Sequence, residues 1–168
     1  MTQGRFFPEE APAPVYAIDT CSVIWLDGIN REPDDSYRYS QQEMTAIWAG
    51  LEAFAKQGCL KIIPAVRREL KDNHPLGLKR LLRQGSCRAP NKTRAVRLAV
   101  KPYAAAMVKP YWSRDPADPW LLAYAEVHGY IVVSDELRRG LSRIPVICQT
   151  AGIPCFTLRR LAEEQSWI

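Results

Sequence analysis

The stretch VYAIDTCSVIWL, residues 15–26, decides how the fold is read. Its apolar residues read as a buried strand over 15–24, and one carboxylate, Asp19, stands at the mouth of that strand. Burying an unpaired carboxylate costs several kcal/mol or forces its pKa upward. Two readings follow: either Asp19-Thr20 forms a local Asx turn, or a cation is meant to sit beside Asp19.

Working outward, strands and helices alternate. Met44, Ile47, Trp48, Leu51, Phe54 and Ala55 recur at helical spacing over 42–57, and Gly58 supplies a stop. CLKIIP (59–64) reads as a second strand, and Pro64 opens a helix, PAVRRELKD. LGLKRLLRQG (76–85) gives a further helix after His74-Pro75, and 93–108 another, interrupted by Pro102. Asp118-Pro119 opens DPWLLAYAEVHG (118–129), with Asp118 as its N-cap. YIVVS (130–134) is a third strand, IPVICQTAG (144–152) a short helix, PCFTL (154–158) a fourth strand and RRLAEEQSW (159–167) a last helix. Strands separated by helices predict an α/β fold, three layers deep, with a mostly parallel central sheet of four to five strands. Residues 1–14, rich in Pro and Glu, read as a disordered leader, and 15–168 as one domain.

Composition bounds the function. Apolar residues are 47% and charged residues 24% of the 168, a globular balance. No apolar run approaches the ~20 residues that span a bilayer, so no membrane partner is expected. Five cysteines without CxxC spacing predict reduced thiols in a cytoplasmic protein. The net charge is +5, with basic residues gathered at Arg67, Arg68, Lys92, Arg94 and Arg97. Such a stripe is either a solvated helix face or the footprint of a phosphate-backbone binder.

In open α/β sheets, sites form at the carboxyl ends of the strands. Asp19 falls there on the first strand, and Asp135 and Glu136 follow the third. Asp118 starts the helix leading into that third strand, and Glu69 lies on the helix after the second. Carboxylates at close quarters repel by about 4 kcal/mol per pair at ~4 Å and an effective dielectric near 20, so a cluster calls for protons or a hard cation. Oxygen ligation suits Mg²⁺ or Mn²⁺. Each acid also has a bland reading: Asp118 as a cap, Glu69 as a surface residue beside Arg67 and Arg68, Asp135 and Glu136 as turn residues.

Four segments together carry a resemblance. IDTCSVIWL resembles the opening motif of PIN-domain nucleases, and IIPAVRREL their second acidic segment. ADPWLLAYA is similar to their third, and VVSDE to their closing T-x-D segment. IWAGLEAFAKQGCLKIIP and IPVICQTAGIPCFTLRRLAEEQSW further resemble a subgroup of that family designated only as DUF4411. The resemblance implies a PIN-like fold and a divalent-metal-dependent endoribonuclease, the VapC-like toxin of a type II toxin–antitoxin pair. It also implies a homodimer and an inhibitory antitoxin. By position, Asp19, Glu69 and Asp118 match the first three acids, and either Glu136 or Asp135 the fourth. Thr20 and Ser134 would orient a ligand or water, and one or two Mg²⁺ or Mn²⁺ ions would serve as cofactor.

His74 reads as a loop residue and His128 as a helix-end residue, so histidine-based cleavage is not expected. Cys21 reads as a small residue on an apolar strand. Tyr103, Tyr111 and Trp112, near Lys101, Lys109 and Arg114, could stack on unpaired bases or pack internally. Two rivals stand against the nuclease. A haloacid-dehalogenase-like phosphohydrolase would want a second Asp where Cys21 stands. A catalytically idle module with the same fold would bind RNA or protein without cutting.

Overall fold

The computed structural model describes residues 12–28, 38–107, 116–136 and 140–168. In chain order the elements are β1 (Tyr16–Ile18), α1 (Thr20–Leu26), α2 (Gln41–Gln57), β2 (Leu60–Lys61), α3 (Pro64–Asn73) and α4 (Pro75–Leu82). They continue with α5 (Arg94–Ala106), α6 (Ala117–His128), β3 (Ile131–Val133), α7 (Ile144–Ala151), β4 (Cys155–Phe156) and α8 (Leu158–Glu164). The four strands form one sheet in the order β2-β1-β3-β4, parallel throughout, within a three-layer α/β/α arrangement. β1 is central and buried at all three positions, as a strand covered on both faces must be.

The opening stretch differs from its expected reading. The strand ends at Ile18, and residues 20–26 are helix α1, not its continuation. Short apolar runs are ambiguous between the two periods. Here the helical one wins, because Ser22, Val23 and Leu26 fall on one buried face. Cys21 is therefore a helix residue, not a strand residue. Asp19 stands between the elements: its backbone N–H donates to the Val133 carbonyl at 2.9 Å, while its side chain makes no cap bond to α1. The Asx-turn reading fails on that last fact.

Other corrections are local. α6 begins one residue earlier than expected, with Pro116 as its N-cap and Asp118 in its first turn. α5 runs through Pro102 without ending, because Val96 and Tyr103 bury one face on either side of the lost hydrogen bond. His74 lies between helices as expected, but it is buried, caps the junction of α3 and α4, and hydrogen-bonds Asp27 at the end of α1. α2 is fixed at both ends, by a Ser40–Glu43 capping box and by Gly58 in the left-handed region at φ 78°. Its Gly50 lies under the Trp167 indole, where a Cβ would overlap the ring. The expected leader falls largely outside the described residues, of which residues 12–14 are exposed.

Candidate functional site

Because the strands are parallel, the carboxyl ends of β1, β3 and β4 share one edge, and Asp19, Ser134 and Thr157 follow them in turn. Asp19 is only 4% exposed. Its Oδ2 accepts from the Cys21 thiol at 2.6 Å and from the Ser134 hydroxyl at 3.1 Å. Burial above all, then the negative charge of Asp118, raises its pKa to about 7; Glu136 adds to the rise, and the Cys21 and Ser134 hydrogen bonds oppose it. Asp118 and Glu136, from separated segments, are thus each close enough to act on Asp19. Ser134 is bound to the acid itself, and its Oγ also accepts from the Glu136 N–H at 3.2 Å.

Glu69 enters by a different route. Its Oε2 accepts from the Thr20 hydroxyl at 2.8 Å, and its Oε1 from the backbone N–H of Ala117 at 3.0 Å. One carboxylate therefore ties the start of α1 to the first turn of α6, one residue before Asp118. The Thr20 hydroxyl faces Glu69 rather than Asp19, so it positions an acid.

The two candidates for the fourth acid separate cleanly. Asp135 is 4% exposed, accepting from the Leu158 N–H and the Tyr39 hydroxyl, each at 2.9 Å. Its own N–H donates to the Ser22 hydroxyl, and its carbonyl accepts from Arg38. It joins α1, α8 and the segment before α2. Burial raises its pKa, and the hydrogen bonds from Leu158 and Tyr39 oppose that rise. Glu136 is the acid whose charge reaches Asp19, yet it also accepts from Arg143 and from the Ile144 N–H at 2.8 Å, which holds the start of α7.

Among the described residues, no three His, Cys, Asp or Glu side chains are gathered as a metal-holding group. The donor chemistry nevertheless suits a hard cation: carboxylate oxygens around a buried Asp19 whose charge is resisted by its neighbours.

Of the basic residues singled out, Arg67, Arg68 and Lys92 line one cavity of about 440 Å³, joined by Lys71. Its wall is α3, the helix that carries Glu69. Arg94 and Arg97 lie outside that cavity, exposed on the first turns of α5. Lys92 sits 3.5 Å over the Trp120 ring, two residues beyond Asp118 on α6. Tyr103 is buried and donates to Glu126 at 2.9 Å, so it is a packing residue and no stacking platform. Tyr111, Trp112, Lys109 and Arg114 lie outside the described residues.

Sequence reasoning took Cys21 for a small residue on an apolar strand, whereas it stands on α1 with its thiol on Asp19. It also missed Tyr39, which lies 96 residues from Asp135 and carries no local mark. His128, placed at a helix end as expected, is stacked between Tyr124 and Tyr130.

A family model described as DUF4411, a domain of unknown function, matches residues 16–168. The chain belongs to that family. No curated protein matches it.

Proposed function

We propose that this DUF4411 protein is a divalent-metal-dependent endoribonuclease, hydrolysing RNA phosphodiester bonds at the carboxyl edge of its sheet. The observation that carries the reading is Asp19 itself: a buried carboxylate at the end of β1, facing the charges of Asp118 and Glu136. A structural acid is normally given donors enough to offset burial, and Asp19 receives a thiol and one hydroxyl. Asp19 and Asp118, with Glu136 beside them, would hold Mg²⁺ or Mn²⁺, which would polarise a phosphodiester oxygen and supply an activated water.

The chain's own groups do the remaining work. Ser134 holds Asp19 through Oδ2. Glu69, fastened by Thr20 and Ala117, fixes the turn that presents Asp118. Arg67, Arg68 and Lys92 attract the phosphate backbone toward the flank of that assembly, with Arg94 and Arg97 extending the basic surface along α5. Lys92 over Trp120 draws that surface toward α6.

On the same reading the protein works in the cytoplasm, in keeping with five unbridged cysteines. No described helix is long and apolar enough to cross a membrane. The resemblance extends the proposal to a homodimeric toxin whose antitoxin covers the acidic edge.

One observation favours a second reading, an idle RNA- or protein-binding module. Glu69 and Glu136 already accept internal hydrogen bonds on both oxygens, and no three-acid group is assembled among the described residues. Cleavage of a mixed RNA pool with Mn²⁺ or Mg²⁺, with EDTA, and by Asp118→Asn decides between them. The nuclease reading expects metal-dependent cutting that Asp118→Asn abolishes. Binding of RNA by a well-folded wild type that never cuts it would establish the idle module.

A further inference from the structure

Beside the acids, on the side of the edge strand β4, lies a cavity of about 330 Å³. Ser134 and Glu136 form the wall it shares with the acidic site; Val146 and Gln149 of α7, Ile153, and Phe156 and Thr157 at the end of β4 are among the other lining residues. The sheet makes this adjacency obligatory. Ser134 N–H donates to the Phe156 carbonyl at 2.9 Å, so the residues after β3 and β4 emerge side by side. Glu136 holds the α7 wall in place through the Ile144 N–H.

The lining has the character of a base subsite. Val146 and Ile153 offer an apolar bed, while the Phe156 ring is engaged by Tyr16 and the Arg160 guanidinium. Gln149, on the exposed side of α7, offers an amide with both donor and acceptor, the combination that reads the edge of a heterocycle. The volume exceeds that of a bare phosphate and accommodates a planar ring. No Lys or Arg is among the described lining residues, which offer apolar contact, hydrogen bonding and the Glu136 carboxylate.

Resting on the ribonuclease reading above, we propose that this cavity receives the nucleobase of the nucleotide whose phosphate meets Asp19 and Asp118, with Gln149 reading its edge. Base identity at the cut is then set on α7, away from the basic cavity, which handles the backbone without regard to sequence.

The test is an NMR titration of the isotope-labelled full chain with AMP, CMP, GMP and UMP in Mg²⁺, against ribose 5-phosphate as the base-free control. At least one nucleotide is expected to bind about tenfold or more tighter than the control and to shift α7 and β4 resonances. Gln149→Ala should weaken that nucleotide about three- to tenfold, the net worth of one or two hydrogen bonds, and leave ribose 5-phosphate unchanged. Val146→Trp, which fills the cavity, should remove the advantage over the control. Equal affinity for nucleotides and ribose 5-phosphate, or nucleotide-specific binding that Gln149→Ala and Val146→Trp both leave intact, overturns the proposal. These readouts need no cleavage. Failure to cut RNA therefore counts against the nuclease, and loss of base discrimination counts against the cavity.

Discussion

Replacing Asp19 by Asn should stabilise the metal-free protein at neutral and alkaline pH. Asn keeps the shape of the side chain and an oxygen to accept from Cys21 and Ser134, while removing the charge that burial and Asp118 oppose. A carboxyl that ionises at about 7 when folded and at 3.8 when unfolded binds more protons in the folded state between those values. Its contribution is therefore intact below about pH 4 and is lost as the pH rises through about 7. At about 1.4 kcal/mol for each pH unit of that interval, the loss is on the order of 4 kcal/mol in wild type and absent in the variant. For a chain of this length, roughly 2–4 °C per kcal/mol makes the difference in midpoint on the order of 10 °C.

The assay is thermal unfolding in EDTA, wild type beside Asp19→Asn, from about pH 4 to about pH 8. The two curves should lie close together at the acid end and diverge through the middle of the range, the variant ending higher. Adding Mg²⁺ or Mn²⁺ should then raise wild type alone, by about 2.7 kcal/mol at roughly 100 times Kd. A wild type as stable as the variant across the range would refute the reasoning, since Asp19 would then carry no uncompensated charge. A metal response shared equally by the variant would place the ion elsewhere.

Three further outcomes are expected. Asp135→Asn, which presents an amide where two donors need a carboxylate, should cost about 1–3 kcal/mol in urea unfolding; an unchanged midpoint would sink its role as a joint. Thr20→Val and Glu69→Gln should each cost about 0.5–1.5 kcal/mol, with the double variant costing clearly less than their sum; strict additivity would mean that the bond between them contributes nothing. Gly50→Ala should cost about 1–3 kcal/mol by forcing a methyl into the Trp167 indole, and Trp167→Leu should recover much of it in the double variant; a neutral Gly50→Ala would show that the indole is free to shift.

The order of helices and strands was legible because each long helix announced its buried face by spacing, and α2 in particular by its Trp and Leu positions and its Gly stop. The opening stretch was not, since TCSVIWL satisfies either period and only the burial of Val23 and Leu26 among the neighbouring helices selects the helix. That the acids after β1 and β3 come to one edge was legible because the parallel topology fixes which strand ends meet. Their individual duties were not. Asp135 and Glu136 are adjacent in sequence, yet one is claimed by Tyr39 and the N–H of Leu158, and the other by Arg143 and the N–H of Ile144. Those partners arrive from distant segments, and no local pattern encodes them. The burial of His74 between its two helices was not legible for the same reason, its partner Asp27 lying at the end of another helix.

The strands here are two or three residues long, so the sheet's own ladder supplies few hydrogen bonds to hold its carboxyl edge rigid. Side chains supply the difference: Glu69 fastens α1 to α6, Asp135 fastens α1 to α8, and Glu136 fastens the β3 exit to α7. Each of those acids engages a backbone N–H, a partner that cannot turn away without local unfolding. Asp19 differs. Its donors are the Cys21 thiol and the Ser134 hydroxyl, both of which rotate about a single side-chain bond toward another acceptor. A cation arriving at Asp19 would therefore displace two rotatable donors and no joint. That asymmetry separates an acid free to exchange partners from acids that hold the edge still around it, and it is why Asp19 is the position at which removing a charge should strengthen the fold.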